Sequence, residues 1–119
     1  MAARRDVEFI NFRPNLLVKD IETAVAFYRD VIGLEVRNAT DDGSFALLGK
    51  GLAEVALVQT DDPPVEQAYL YVRGIEALSQ RCKDAGIEIT RGLVEHPWGL
   101  RDFVVRDPDG HMIGIGERV

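Results

Sequence analysis

The chain has one cysteine, one tryptophan and two histidines among its 119 residues. A lone Cys82 forms no internal disulfide, which suits a reducing compartment, and its expected role is that of a small buried apolar residue. No apolar run approaches the roughly 20 residues that span a bilayer, and "MAARRDVEF" lacks the apolar stretch of a signal peptide. The expectation is a soluble cytoplasmic protein with no membrane partner. Basic clusters are also missing. With 14 Lys and Arg against 20 Asp and Glu, and a net charge of -6, the chain offers no concentrated positive face for phosphates, which argues against nucleic acid as a partner. The acids themselves are scattered and read as solvated surface. No Ser/His/Asp or Cys/His constellation for nucleophilic catalysis is visible.

What is present is an ordinary globular composition, 46% hydrophobic and 29% charged, in a length that suits one domain. It also contains an internal repeat. "LLVKDIETAVAFYRDVIGLEV" from Leu16 matches "LYVRGIEALSQRCKDAGIEIT" from Leu70, with Val18 over Val72, Ile21 over Ile75 and Glu22 over Glu76. Between the copies, "TDDPPVEQ" carries paired prolines that stiffen an extended connector. Half-domains of about 9–60 and 67–118, joined by 61–66, follow. Each half reads as a strand, a helix and three more strands. The first helix places Ala24, Phe27, Tyr28 and Val31 on one stripe, the second Leu78, Cys82 and Ala85, and each stops at a glycine, Gly33 or Gly86. The later strands are "LEVRN", "SFALLG" and "AEVALVQ", then "IEITR", "RDFVVRD" and "HMIGIGE", with the turn Asp107-Pro-Asp-Gly110 between the last pair. The predicted fold is α+β. It comprises two βαβββ modules, each a curved antiparallel or mixed sheet with one covering helix, together forming a cavity.

Strand parity sorts the faces. Leu16 and Val18, Ala68, Leu70 and Val72, and Ile113 and Ile115 form the apolar set expected against the helices. Opposite them lie Arg13, Asn15 and Leu17, then Gln67, Tyr69 and Tyr71, then Met112, Gly114 and Gly116. Two readings fit this mixed set: a half-exposed sheet face, or the lining of a ligand cavity. On the second, Gly114 and Gly116 leave the cavity room for a ligand.

The motifs "LLVKDIETAVAFYRDVIGLEV", "AYLYVRGIEAL" and "PWGLRDFVVRDPDGHMIGI" resemble the glyoxalase, bleomycin-resistance and extradiol-dioxygenase superfamily, also called vicinal oxygen chelate, from about Phe12 to Glu117. In metal-dependent members the resemblance implies four ligand positions, which here fall on Arg13, Ala56, Gln67 and Gly114. Only Gln67 is an acceptable ligand, too few for a catalytic divalent ion. Neither His96 nor His111 falls in a ligand-type spacing, and His111, after a tight turn, is expected to be exposed. No metal and no cofactor are therefore expected.

Metal-free members similar to this chain include bleomycin-resistance proteins, homodimers that sequester a drug in grooves where two chains' sheets meet. The resemblance implies Phe45, Tyr69, Tyr71 and Trp98 as stacking residues for a planar aromatic or cationic small molecule. Arg13, Glu54 and Gln67 are the polar determinants, Met112 is an adaptable wall, and Arg101 adds positive charge to the groove. Trp98, flanked by Pro97 and Gly99, has a second reading as a core plug. Glu54 either pairs with Arg13 or attracts a cationic ligand. The function expected is metal-independent small-molecule binding, with drug or toxin sequestration as its biological form. The alternative is a metal-dependent lyase, isomerase or dioxygenase of the same superfamily, and a third possibility is a metal-free enzyme using Glu54 or Tyr71 as acid or base.

Overall fold

Asp20 starts the first helix by accepting a hydrogen bond from the Glu22 backbone N–H, and Gly33 ends it in the left-handed conformation, with φ of 101°. Between them the computed structural model, which describes Glu8 and residues 10–119, shows helix α1 (Ile21–Ala26) continuing into wider π-helical turns over Phe27–Ile32. The extra residue per turn rotates the buried stripe, so Phe27, Tyr28 and Ile32 reach the core and Val31 is only partly buried. Helix α2 (Ile75–Asp84) is regular and buries Ile75, Leu78, Ser79 and Cys82. Ala85, expected on that stripe, is instead its exposed C-terminal cap.

The strands form two four-stranded sheets of matching topology. In chain order they are β1 (Asn15–Val18), β2 (Glu35–Ala39), β3 (Phe45–Lys50), β4 (Ala53–Gln59), β5 (Gln67–Tyr71), β6 (Ile89–His96), β7 (Leu100–Arg106) and β8 (Met112–Arg118). The first sheet runs β1-β4-β3-β2 and the second β5-β8-β7-β6, each parallel in its first pair and antiparallel in the others. This is the predicted pair of βαβββ modules. One strand differs from its sequence reading. Of "IEITR" only Ile89–Arg91 belongs to β6, which runs on to His96 across a register irregularity between Arg91 and Val94.

The parity assignment of the apolar set holds. Leu16, Val18, Ile113 and Ile115 are buried against the helices, with Leu48, Leu57, Phe103 and Val105 from neighbouring strands, while Ala68, Leu70 and Val72 pack partly buried against them. Cys82 lies inside this core, fully buried. Burial pushes its thiol up, only partly countered by nearby Arg81. Labelling of the native protein by a thiol reagent should therefore proceed no faster than unfolding; rapid stoichiometric labelling under native conditions would contradict this packing.

Between the modules, the edge strand β1 faces the edge of the second sheet, with the Leu17 N–H donating to the Glu66 carboxylate just before β5. One end of this seam is fastened by buried polar groups. His111, expected at the surface, is completely buried: its Nδ1 accepts from the Glu66 N–H at 2.9 Å, so Nε2 carries the proton and donates to the Leu17 carbonyl at 2.7 Å. Beside it the Tyr28 hydroxyl donates to buried Asp107 at 2.7 Å. Burial pushes the Asp107 carboxyl up despite the hydrogen bonds it accepts from Tyr28, His111 and Asp109.

Candidate functional site

The sheet faces turned away from the helices carry the predicted site residues. On the second sheet Gln67, Tyr69 and Tyr71 of β5 stand beside Met112, Gly114 and Gly116 of β8. Tyr69 does not point straight out. A Cβ built on Gly114 would lie 2.5 Å from the Tyr69 ring, and one on Gly116 only 2.1 Å from its hydroxyl oxygen. The ring therefore lies flat across β8, in the space those two glycines leave, and its hydroxyl reaches β7 to donate to Asp102 Oδ2 at 2.8 Å. The glycines do not open a void for a ligand, as the sequence suggested. They are the seat of a tyrosine.

Asp102 is the centre of this face and was not foreseen. It is 7% exposed and accepts hydrogen bonds from Tyr69, from His96 Nε2 at 2.7 Å and from the Arg91 guanidinium. Burial pushes its carboxyl up, but those three donors outweigh it and hold the group below the usual carboxylate range. The same contact acts on the donor: burial first, then the bond to Asp102, pushes the Tyr69 phenol up to about 12.

Arg91 arrives there through a β-bulge. Arg91 opposes Val104 and Val94 opposes Asp102, so β6 carries one residue more than β7 between them and both side chains share a face that strict alternation would separate.

Two exposed aromatic surfaces flank Asp102. Trp98, in the turn after β6, is 69% exposed and stacks on His96 with ring centroids 4.4 Å apart and planes 8° from parallel. It is not a core plug. Tyr71 meets Tyr69 edge-on at 5.0 Å, and the Arg118 guanidinium lies 5.0 Å from the centre of the Tyr71 ring.

The remaining candidates divide between the sheets. Gln67 and Met112 adjoin Tyr69 on the second sheet. Phe45 and Glu54 belong to the first sheet, Phe45 opposite Val58 and Glu54 opposite Gly49, while Arg13 lies exposed just before β1. Glu54 pairs not with Arg13 but with Arg37, at 3.0 Å, and with the Asn11 amide at 3.1 Å. Those hydrogen bonds hold its carboxyl below the usual range. Arg101 contributes nothing to this face. It lies on the helix side, paired with Glu76 of α2 and with Glu117.

The pattern that defines the Glyoxalase/Bleomycin resistance protein/Dioxygenase superfamily matches residues 11–115. The chain belongs to this superfamily. A bleomycin resistance protein of Geobacillus stearothermophilus is 28% identical over 127 aligned positions, covering 89% of this chain and 95% of that protein. The crystal structure of TioX from Micromonospora sp. ML1 superposes with a TM-score of 0.80 at 25% identity, covering 92% of this chain and 98% of TioX. TnmS3, an antibiotic binding protein from Streptomyces sp. CB03234, shares the fold with a TM-score of 0.81 at 22% identity, covering 98% of this chain and all of TnmS3.

The metal positions that the superfamily implies do not fit a metal here. Arg13 is a cation, Ala56 has no donor atom, and the Tyr69 ring occupies the space into which any side chain at Gly114 would project. Gln67 alone remains. Among the described residues no three His, Cys, Asp or Glu side chains come together as a ligand set. Nor is any described helix long and apolar enough to cross a membrane.

Proposed function

We propose that this protein is a metal-independent binder of small planar aromatic molecules, which it sequesters. The observation that carries the reading is the aromatic face of the second sheet: Tyr69 held flat by Asp102, Tyr71 across from it, and Trp98 presented on His96. Ring surfaces ordered in advance lose little entropy when a flat ligand stacks on them. The kinship with bleomycin resistance proteins supports the same reading. Asp102 and Glu54, on this side, are already paired with Arg91 and Arg37, so neither offers a free charge to a cationic ligand. Gln67 and Met112 border the platform, and Phe45 and Arg13 serve the first sheet's part of the groove.

The reading includes a homodimer. The chain is a plate of 59 × 45 × 23 Å with a radius of gyration of 16.1 Å, against about 13–14 Å for a compact chain of this length. Both sheets have one face without a helix, and a second copy facing them would close the groove around a ligand.

Trp98, as the sole tryptophan, reports on its own site. Titration with bleomycin and with flat aromatic antibiotics should quench or shift its fluorescence for at least one compound. Trp98→Ala should weaken that compound's binding about tenfold or more, measured by calorimetry, a loss on the scale of one stacking contact. Unchanged affinity in the variant would refute stacking on Trp98.

A further inference from the structure

The two ends of the seam between β1 and β5 are related by the internal repeat, yet only one is closed. At the closed end His111 bridges Glu66 and Leu17. Its counterpart at the other end follows from the strand registers. Met112 stands beside Gln67, and continuing the Asn15–Ala56 register by two residues places Glu54 beside Arg13, the repeat mate of Gln67. The residue before Met112 is His111; the residue before Glu54 is Ala53. A methyl group thus stands where the other end has an imidazole, and Phe12 and Tyr71 stand where it has Glu66 and Leu17. No hydrogen bond joins Phe12 or Ala53 to Tyr71 among the described residues.

The result is a slot of about 320 Å³ at that end. Its lining includes Leu16, Tyr28, Ile32, Leu70 and Ile113 from the helix-facing side, with Tyr69, Tyr71 and Glu54 from the opposite faces of the sheets. It therefore runs from the aromatic face into the space beneath the sheets. Among the described residues Glu54 is its one charged lining residue, and it is already paired with Arg37 and Asn11. At the rim Phe12 is fully exposed and Leu52 is 74% exposed. A volume of this size is that of a small ligand site.

We propose that this slot is a second subsite, which takes an uncharged alkyl arm of the ligand whose flat part rests on Tyr69 and Tyr71. The proposal rests on the stacking reading above and adds a ligand class: planar molecules bearing an unbranched apolar chain. A lining made mostly of apolar side chains rewards methylenes and penalises a charged arm. The absence of a bridging side chain at Ala53 leaves the arm its way in.

The test uses a neutral fluorescent series, N-methyl- and N-octyl-naphthalimide, together with 1-decanol as a chain without a planar head. For the wild-type protein the octyl compound should bind at least tenfold more tightly than the methyl compound, which needs only about two methylenes at roughly 0.8 kcal/mol each to be buried. Ala53→Phe, which fills the slot from its rim, should erase that gain and leave N-methyl-naphthalimide binding unchanged. Ala68→Leu, which narrows the slot from β5, provides an independent variant should the first fail to fold. An equal gain in the folded slot-filled variants, or no octyl gain in wild type although the methyl compound binds, overturns the subsite. If the methyl compound fails to bind while 1-decanol raises the melting temperature of wild type but not of the variants, the slot stands and the stacking platform falls.

Discussion

Replacing His111 with alanine should cost about 3–5 kcal/mol, combining a buried cavity with the Glu66 N–H and Leu17 carbonyl left without partners. In a chain of this size that loss corresponds to a fall of roughly 10–20 °C in melting temperature, read by calorimetry. The size of the effect follows from where the imidazole sits. His111 is completely buried, uses both ring nitrogens, and connects the second module to β1 of the first. Nearby, Lys19 N–H donates to Asp109 and Tyr28 to Asp107, so the same end of the seam has other fasteners. If His111→Ala cost less than 1 kcal/mol, those bonds rather than the imidazole would be holding the modules together.

Removing the Asp102 carboxylate should do more to the candidate site than any change to its aromatic rings. In Asp102→Ala, Tyr69, His96 and Arg91 all lose their shared acceptor. A stability loss of about 2–3 kcal/mol is expected. Ligand affinity should fall further than in Trp98→Ala, because the Tyr69 ring and the His96 support under Trp98 are released together. Asp102→Asn separates charge from shape. With Asp102 held below the usual carboxylate range, the wild-type protein gains stability from it above the unfolded value near pH 4, and loses that gain as pH falls through the lower folded value. The Asn variant should lack this part of the acid dependence. The Tyr69 phenol has the opposite sign: raised to about 12 in the folded chain, its contribution is complete below the ordinary phenol value near 10 and is lost as pH rises toward 12. Phenolate absorbance in Asp102→Asn should show that tyrosine titrating closer to 10. An unchanged phenol titration would separate Tyr69 from Asp102 and remove the basis of the platform.

The same residues show how far a linear reading reaches. The repeat, the helices and the alternation of β1, β5 and β8 were legible because each depends on neighbours in sequence: glycine stops, apolar stripes and period-two parity. That Gly114 and Gly116 share a face with Tyr69 was legible too. That the tyrosine ring fills the space above both glycines was not, since it depends on a side chain crossing from β5 over β8 to an acceptor in β7.

Asp102 had the right parity to be found, but within "RDFVVRD" it reads as one acid among several. Its partners come from two other strands, β5 and β6, and the bulge that turns Arg91 onto this face breaks the alternation on which sequence assignment depends. His111 and Ala53 make the same point at the seam. The sequence by itself determined that there are two modules of one design and which face of each strand meets a helix, because those are properties of short segments. Only the tertiary structure decided which seam end is bolted and which is open, and which carboxylate organises the face, because those depend on contacts between segments that no local pattern encodes.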